Sequence, residues 1–291
     1  MAEEQILRVL SRLLISSRPI SWINTAFPFA AAYFFLGGEL NTFFWVTSLF
    51  FLIPYNLLMY GINDVFDYES DLRNPRKGGI EGALLPPDLH SPTLWTASLL
   101  SSPFIVFIAM ASASNLLALS VFLITIFFVI AYSVKGLRFK EIPFLDSISS
   151  SIHFVGPAVF AVSLIGVFSI EILIALVAFF MWGAASHAFG AVQDIRADRE
   201  AGIASIATVL GARTTVRLAL SFYSIAAVLL LFLPERFMYA SLAAVPYLVV
   251  VGRSLNITDE KCEDANKGWK LFILLNFLAG AIISSLLIGP V

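Results

Sequence analysis

The sequence predicts an all-α integral membrane protein, a single domain over residues 1–291 built as a bundle of nine transmembrane helices. Three observations carry that prediction. Mean hydropathy is +0.88, with 59% hydrophobic and only 13% charged residues, outside the range of soluble domains. Nine apolar runs approach the roughly 20 residues that a helix needs to cross a bilayer. The basic residues also fall almost entirely on one side of those runs. Net charge is −2, which argues neither for nor against an anionic partner.

Taken in order, residues 1–18 have apolar Ile6, Leu10, Leu13 and Leu14 interleaved with Arg8 and Arg12, the pattern of a helix lying in the membrane interface. That stretch lacks a uniform apolar core, so a cleaved signal peptide is not expected. The spans then lie near 19–38, 42–62, 93–112, 115–133, 147–166, 170–193, 215–233, 236–252 and 269–288. With the N-terminus cytoplasmic, 17 of the 18 Lys and Arg fall in cytoplasmic segments or their helix ends, and only Arg236 falls outside. A miscount in the middle would destroy that asymmetry. The same reading puts the C-terminus outside, in a membrane of the bacterial plasma-membrane type. The outer connections are very short, so the chemistry belongs on the cytoplasmic side. The lone Cys262 excludes an intramolecular disulfide.

Two acidic clusters interrupt this apolar chain. NDVFDYESD (63–71) ends the second span and QDIRADREAG (193–202) ends the sixth, four spans later, which suggests an internal repeat whose two motifs face each other across a cavity. Asp64, Asp67 and Asp71 recur at intervals of three and four residues, and Asp194 and Asp198 at four, so each set is expected along one helix face. Asn56, Tyr60 and Asn63 continue that face into the membrane. Carboxylates at helix C-termini repel one another and meet the negative end of the macrodipole. Nothing in the chain offers enough buried cations to neutralise five of them. A hard divalent cation would, and Mg2+ favours a few carboxylates, waters and substrate phosphate oxygens.

Basic residues near the clusters offer the other half of a diphosphate site: RNPRKGG (73–79) after the first motif, Arg196 and Arg199 within the second, and YSVKGLRFK (132–140) at the end of the fourth span. Two histidines lie inside spans, where such groups are costly and often functional. His187 is two turns deeper than Asp194 on the same face, and His153 is in the fifth span.

These residues resemble a known family. NDVFDYESD is similar to the NDxxDxxxD motif and DIRAD to the DxxxD motif of the UbiA-type intramembrane prenyltransferases, and YS…LRFK is similar to that family's YS..P.LRLK element. The resemblance implies a nine-helix bundle with a central cavity open to the cytoplasmic side and laterally to lipid. It implies Mg2+ and diphosphate held by Asn63, Asp64, Asp67, Asp71, Asp194 and Asp198, with Lys77, Tyr132, Arg138, Lys140 and Arg199 reaching the phosphates. Departures are the stretch NPRKGGIEGALLP after the first motif, which bears on Lys77, and Lys-Gly where relatives often carry Pro-Pro.

SSRPISWINTAFPFAAAYFF and NITDEKCEDANKGWK resemble the carotenoid branch of that family, the lycopene elongases. That implies dimethylallyl diphosphate as donor and lycopene as acceptor, in the lipid bilayer and without nucleic acid. The electrophile would add to a terminal double bond, leaving a tertiary cation, with Asn56, Tyr60, His153 and His187 as candidate acceptor-site or cation-stabilising residues. The alternatives are a prenyltransferase of the same type acting on a quinone, aromatic or other lipid acceptor, and an ion-coupled transporter. Transporter acids sit near the midplane beside broken helices, whereas these sit at the rim with an unbroken span expected above each.

Overall fold

The computed structural model describes residues 2–72 and 83–289, and the regular structure among them is entirely helical. The chain packs as two units. Met1–Arg138 with Gly156–Ile165 forms the first, and Phe139–Val155 with Gly166–Val291 the second.

In the first unit α1 (Ala2–Ser16) leads through a three-residue turn into α2 (Ile23–Phe35). The long helical segment α3 (Thr42–Phe66) is followed by α4 (Tyr68–Asp71), which carries the end of the first acidic motif. α5 (His90–Ala111) and α6 (Leu116–Ser133) complete it with the C-terminal half of α7 (Leu145–Ile165). Its core is aromatic: Phe29 stacks on Tyr33 and Phe160, and Phe50 and Phe51 wedge against Tyr55. Such offset and edge-on pairs fill space between helices that cannot rely on expulsion from water for their cohesion.

The α3 segment departs from the unbroken span expected above the first motif. Pro54 has no N–H to give and its ring crowds the preceding turn, so the helix breaks at Ile53 and resumes at Pro54. The loosened carbonyls are recovered from within: Thr25 Oγ1 donates to Phe51 O at 2.7 Å, and Asn56 Nδ2 donates to Phe51 O and Leu52 O at 3.0 and 3.1 Å. A π-helical turn follows at Leu57–Gly61, directly before the motif, the kind of local widening of the helix that recurs at functional sites.

The second unit continues with α8 (Ile170–Val192), a 23-residue helix without a break, then α9 (Ile195–Ala201), α10 (Ile206–Leu210) and α11 (Ala212–Leu231). A 3-10 stretch, Glu235–Ala244, leads to α12 (Val245–Gly252), and α13 (Ala265–Trp269) and α14 (Phe272–Ile288) end the fold. Gly183 allows α7 and α8 to meet closely, since a Cβ there would lie 2.5 Å from Ser151 Oγ. Tyr223 and Tyr247 stack on each other with Phe272 edge-on. Their hydroxyls meet Ser186 Oγ at 2.6 Å and Asn276 Oδ1 at 2.7 Å, so each buried phenol has its partner.

Among the described residues six helices are long and apolar enough to cross a bilayer, and the pair Asp259–Trp269 and Phe272–Ile288, bent by 45°, makes a seventh if it is one span. Large apolar side chains such as Trp95, Met110, Leu116 and Leu274 point outward from them. That surface suits lipid and not water, and the chain is an integral membrane protein. The first and eighth expected spans are helical but shorter: α2 has 13 residues, and the 236–252 region is ten residues of 3-10 helix and eight of α-helix.

Candidate active site

The two acidic motifs share one local geometry. In the first, the helix breaks at Asp67 (φ −99°, ψ −1°) and Asp71 N donates to Asp67 O at 2.8 Å. In the second, it breaks at Asp194 (φ −96°, ψ −6°) and Asp198 N donates to Asp194 O, also at 2.8 Å. The equivalent pairs are therefore Asp67/Asp71 and Asp194/Asp198, each one carboxylate on the turn residue and one a helical turn later. Asp64 aligns with Ala191 and has no counterpart.

The environment of Asp64 agrees with that. Its side chain is fully buried and accepts hydrogen bonds from Ser16 Oγ at 2.8 Å, Arg18 Nη2 at 3.1 Å and Ala83 N at 3.2 Å. Arg18 takes a left-handed backbone conformation (φ 50°) and lies 4.1 Å over the Tyr60 ring. Burial works against the Arg18 charge, but the adjacent Asp64 carboxylate outweighs it and, with Tyr60, holds the guanidinium above its ordinary range. Asp64 is thus a hub joining the interfacial helix to the second span, on a different set of partners from Asp67. One face of Tyr60, the aromatic expected to meet a substrate cation, is covered by Arg18.

Around Asp67 the picture differs. Asn63 Nδ2 donates to Asp67 Oδ2 at 2.8 Å and to Ser133 Oγ at 3.0 Å, and Arg138 reaches Asp67 Oδ1 at 3.4 Å and Phe66 O at 3.3 Å. Arg138 is set by a reversed turn with positive φ at Gly136 and at Arg138 itself. Asp67 and Asp71 are both buried, at 5% and 6% exposure. Asn63, Asp67 and Arg138 therefore gather in the first unit, with Asp71 a helical turn on from Asp67 and Tyr132 half-buried one residue before the end of α6. Asn56 does not join them. It is fully buried and its amide donates to Thr25 Oγ1, Phe51 O and Leu52 O, repairing the break at Pro54. Lys77 lies outside the described residues.

In the second unit Asp194 and Asp198 are half-buried at the start of α9 and within it. Gly202, in the left-handed conformation (φ 71°) that a side chain resists, closes that helix and turns the chain into α10. Arg199 is engaged within the protein: Nη1 pairs with Asp259 Oδ2 at 2.7 Å and Nη2 donates to Thr208 O at 2.9 Å. Asp259 also accepts from Ala212 N at 2.7 Å, capping α11. That backbone bond first, and then Arg199, holds the Asp259 carboxyl below its usual range. Lys140 sits on the short turn Phe139–Glu141.

His153 is buried in α7. His187 Nδ1 meets Ser147 Oγ at 3.1 Å. The neighbouring Asp146, buried and missed from sequence, accepts from Ser147 N at 2.6 Å and from Ile206 N at 2.7 Å. It thereby ties the fifth span to the chain leaving the second motif. An acid in FLDSIS, at the mouth of an apolar span, was the available signal. Gln193, another omission, accepts from Asn266 Nδ2 at 2.6 Å just before Asp194.

Among the described residues no three His, Cys, Asp or Glu side chains are close enough to form an all-protein metal cage. The donor set of two carboxylates in each motif, with the Asn63 amide oxygen in the first, still fits Mg2+, which keeps waters and phosphate oxygens in its shell.

The family model for the UbiA prenyltransferase family matches residues 25–278. A lycopene elongase/hydratase of Corynebacterium glutamicum is 52% identical over 281 residues, 95% of this chain and 96% of that protein. The C(50) beta-cyclic carotenoids biosynthesis protein LbtBC of Dietzia sp. is 49% identical over 97% of this chain and 66% of its own length. In fold, the chain is similar to a UbiA homologue from Archaeoglobus fulgidus solved with DMAPP and Mg2+, with a TM-score of 0.65 at 20% identity, covering 93% of this chain and 99% of that one. On the family match and the identity across nearly its whole length, this chain belongs to the UbiA prenyltransferase family.

Proposed function

We propose that this prenyltransferase transfers a dimethylallyl group from dimethylallyl diphosphate to each end of lycopene, with Mg2+, giving C45 and then C50 carotenoids. The observation that carries the reading is the repeated aspartate turn, Asp67/Asp71 and Asp194/Asp198, at the rim of apolar spans, in a chain 52% identical to a lycopene elongase/hydratase.

In this reading Asn63, Asp67 and Asp71 of the first motif and Asp194 and Asp198 of the second would hold Mg2+, and Asp64 fixes the first motif through Ser16, Arg18 and Ala83. Bound there, Mg2+ would neutralise charge on the departing diphosphate. Arg138, already beside Asp67, reaches the phosphate oxygens with Tyr132 and Lys140, while Arg199 positions α9 through Asp259 and Thr208. The allylic carbon then bonds to a terminal alkene carbon of lycopene, and the apolar surroundings exclude water that would intercept the cation. The resulting tertiary cation loses a proton or captures water, and His187, oriented through Ser147, is the group assigned to take that proton. The nine-span topology follows with 19–38 and 236–252 as its first and eighth members, the N-terminus and the chemistry cytoplasmic, and the C-terminus outside.

The test is to incubate the purified protein with lycopene and dimethylallyl diphosphate, with and without Mg2+, and to weigh the pigments. The expected result is metal-dependent gain of one and then two isoprene units. Folded protein that leaves lycopene unchanged while prenylating 4-hydroxybenzoate would refute the carotenoid acceptor and leave the family intact.

A further inference from the structure

We propose that the second unit carries a binding site for the phosphate of an anionic phospholipid, separate from the aspartate motifs. A cavity of about 530 Å³ opens between the end of α12, the 254–264 segment and the α13–α14 junction. Its lining includes exposed Arg253, Lys261 and Lys267 beside apolar Val250, Gly268 and Leu271.

The charges do not cancel within the protein. Lys267 pairs with Asp264, the one acid in the lining, at 2.9 Å. Arg253 and Lys261 form no ion pair with any described residue. The other acids of the 254–264 segment are not part of the lining: Asp259 is engaged by Arg199 and Ala212 and Glu263 by Arg196, while Glu260 keeps its charge and bonds Thr258. The lining thus has three cations and one anion, an excess of two positive charges.

The second observation separates a lipid from a soluble anion. Immediately beyond the cavity, α12 and α14 present Val249 and Leu274 outward, 50% and 66% exposed, and Leu271 of the lining joins that apolar surface. A phosphate gripped by Arg253 and Lys261, with acyl chains laid along that apolar surface, would satisfy both halves at once. Basic pockets at the ends of transmembrane helices recognise acidic headgroups in this way. A free phosphate would use only the cations.

The experiment titrates phosphatidylglycerol onto the full-length protein in phosphatidylcholine nanodiscs and counts bound lipids by native mass spectrometry. R253Q/K261Q is compared with K135Q, an exposed cation outside the cavity. Two surface cations at about 1 kcal/mol each predict a loss of roughly thirtyfold in affinity for R253Q/K261Q, with K135Q unchanged. K261Q/K267Q replaces the first variant if that one does not fold, with the same expectation. Equal loss in K135Q, or no preference for phosphatidylglycerol over phosphatidylcholine, would overturn the site. Displacement of the lipid by millimolar inorganic phosphate at matched ionic strength would overturn the lipid assignment and leave a soluble-anion site.

Discussion

Replacing Arg18 by Met tests whether Asp64 is a structural hub or a metal ligand. In the native fold the Asp64 side chain has no exposure and takes three hydrogen bonds, of which only the one from Arg18 brings a positive charge. R18M keeps the bulk and leaves a buried carboxylate held by two neutral donors. Breaking a buried pair from one side costs about 3–5 kcal/mol. Arg18 retains 17% exposure, so the low end of about 3 kcal/mol applies. At roughly 2–4 °C per kcal/mol for a chain of this size, the midpoint should fall by about 6–12 °C in detergent, followed by intrinsic fluorescence. D64N removes the charge that Arg18 serves, and a guanidinium near the rim can turn to water, so it should cost less. The double variant should be more stable than the sum of the singles by about 1–3 kcal/mol. The Mg2+ concentration giving half-maximal rate should be unchanged in D64N. A drop of less than about 2 °C in R18M, additive single effects, or a raised Mg2+ requirement in D64N would refute the hub.

Asp67→Asn and Asp194→Asn should each remove nearly all turnover, with the midpoint moving by no more than a few degrees in Asp194→Asn, whose carboxylate is half-buried on a turn residue, and by more in Asp67→Asn, whose buried carboxylate also meets Asn63 and Arg138; half the activity remaining in either would argue against a metal role. Asp259 supplies a pH test. Its carboxyl is held below the ordinary value of about 3.9, so its contribution is full above that pH and is lost as pH falls through the lower folded value. D259N keeps an acceptor for Ala212 N but loses the charge that Arg199 pairs with, so it should cost up to about 1 kcal/mol at neutral pH, and its melting curve should converge with the parent's in strong acid. Geranyl and farnesyl diphosphate should be poor donors if the pocket closes after one isoprene unit, measured by prenylated pigment at saturating donor. With lycopene, the C45 product should appear first and then decline as C50 accumulates.

Much of this protein is legible in the order of its residues. Apolar length, the one-sided placement of Lys and Arg, and two acidic clusters four spans apart are properties of the chain itself, because a bilayer tests segments for transfer energy and charge largely one at a time. The family resemblance rests on the same linear motifs. Sorting the residues within those motifs required the fold. Spacing places Asp64 and Asp67 on one helical face, but the helix breaks at Asp67 and the two carboxylates meet different partners, Arg18 from 46 residues upstream and Arg138 from 71 downstream. Asn56 reads as a polar group aimed at substrate until Pro54 leaves neighbouring carbonyls for it to satisfy. Arg199 reads as a phosphate ligand until Asp259, 60 residues later, claims it. Each of these depends on where a buried polar atom finds its partner. In an apolar interior that demand must be met by whatever the tertiary packing brings near, and local sequence carries no record of it.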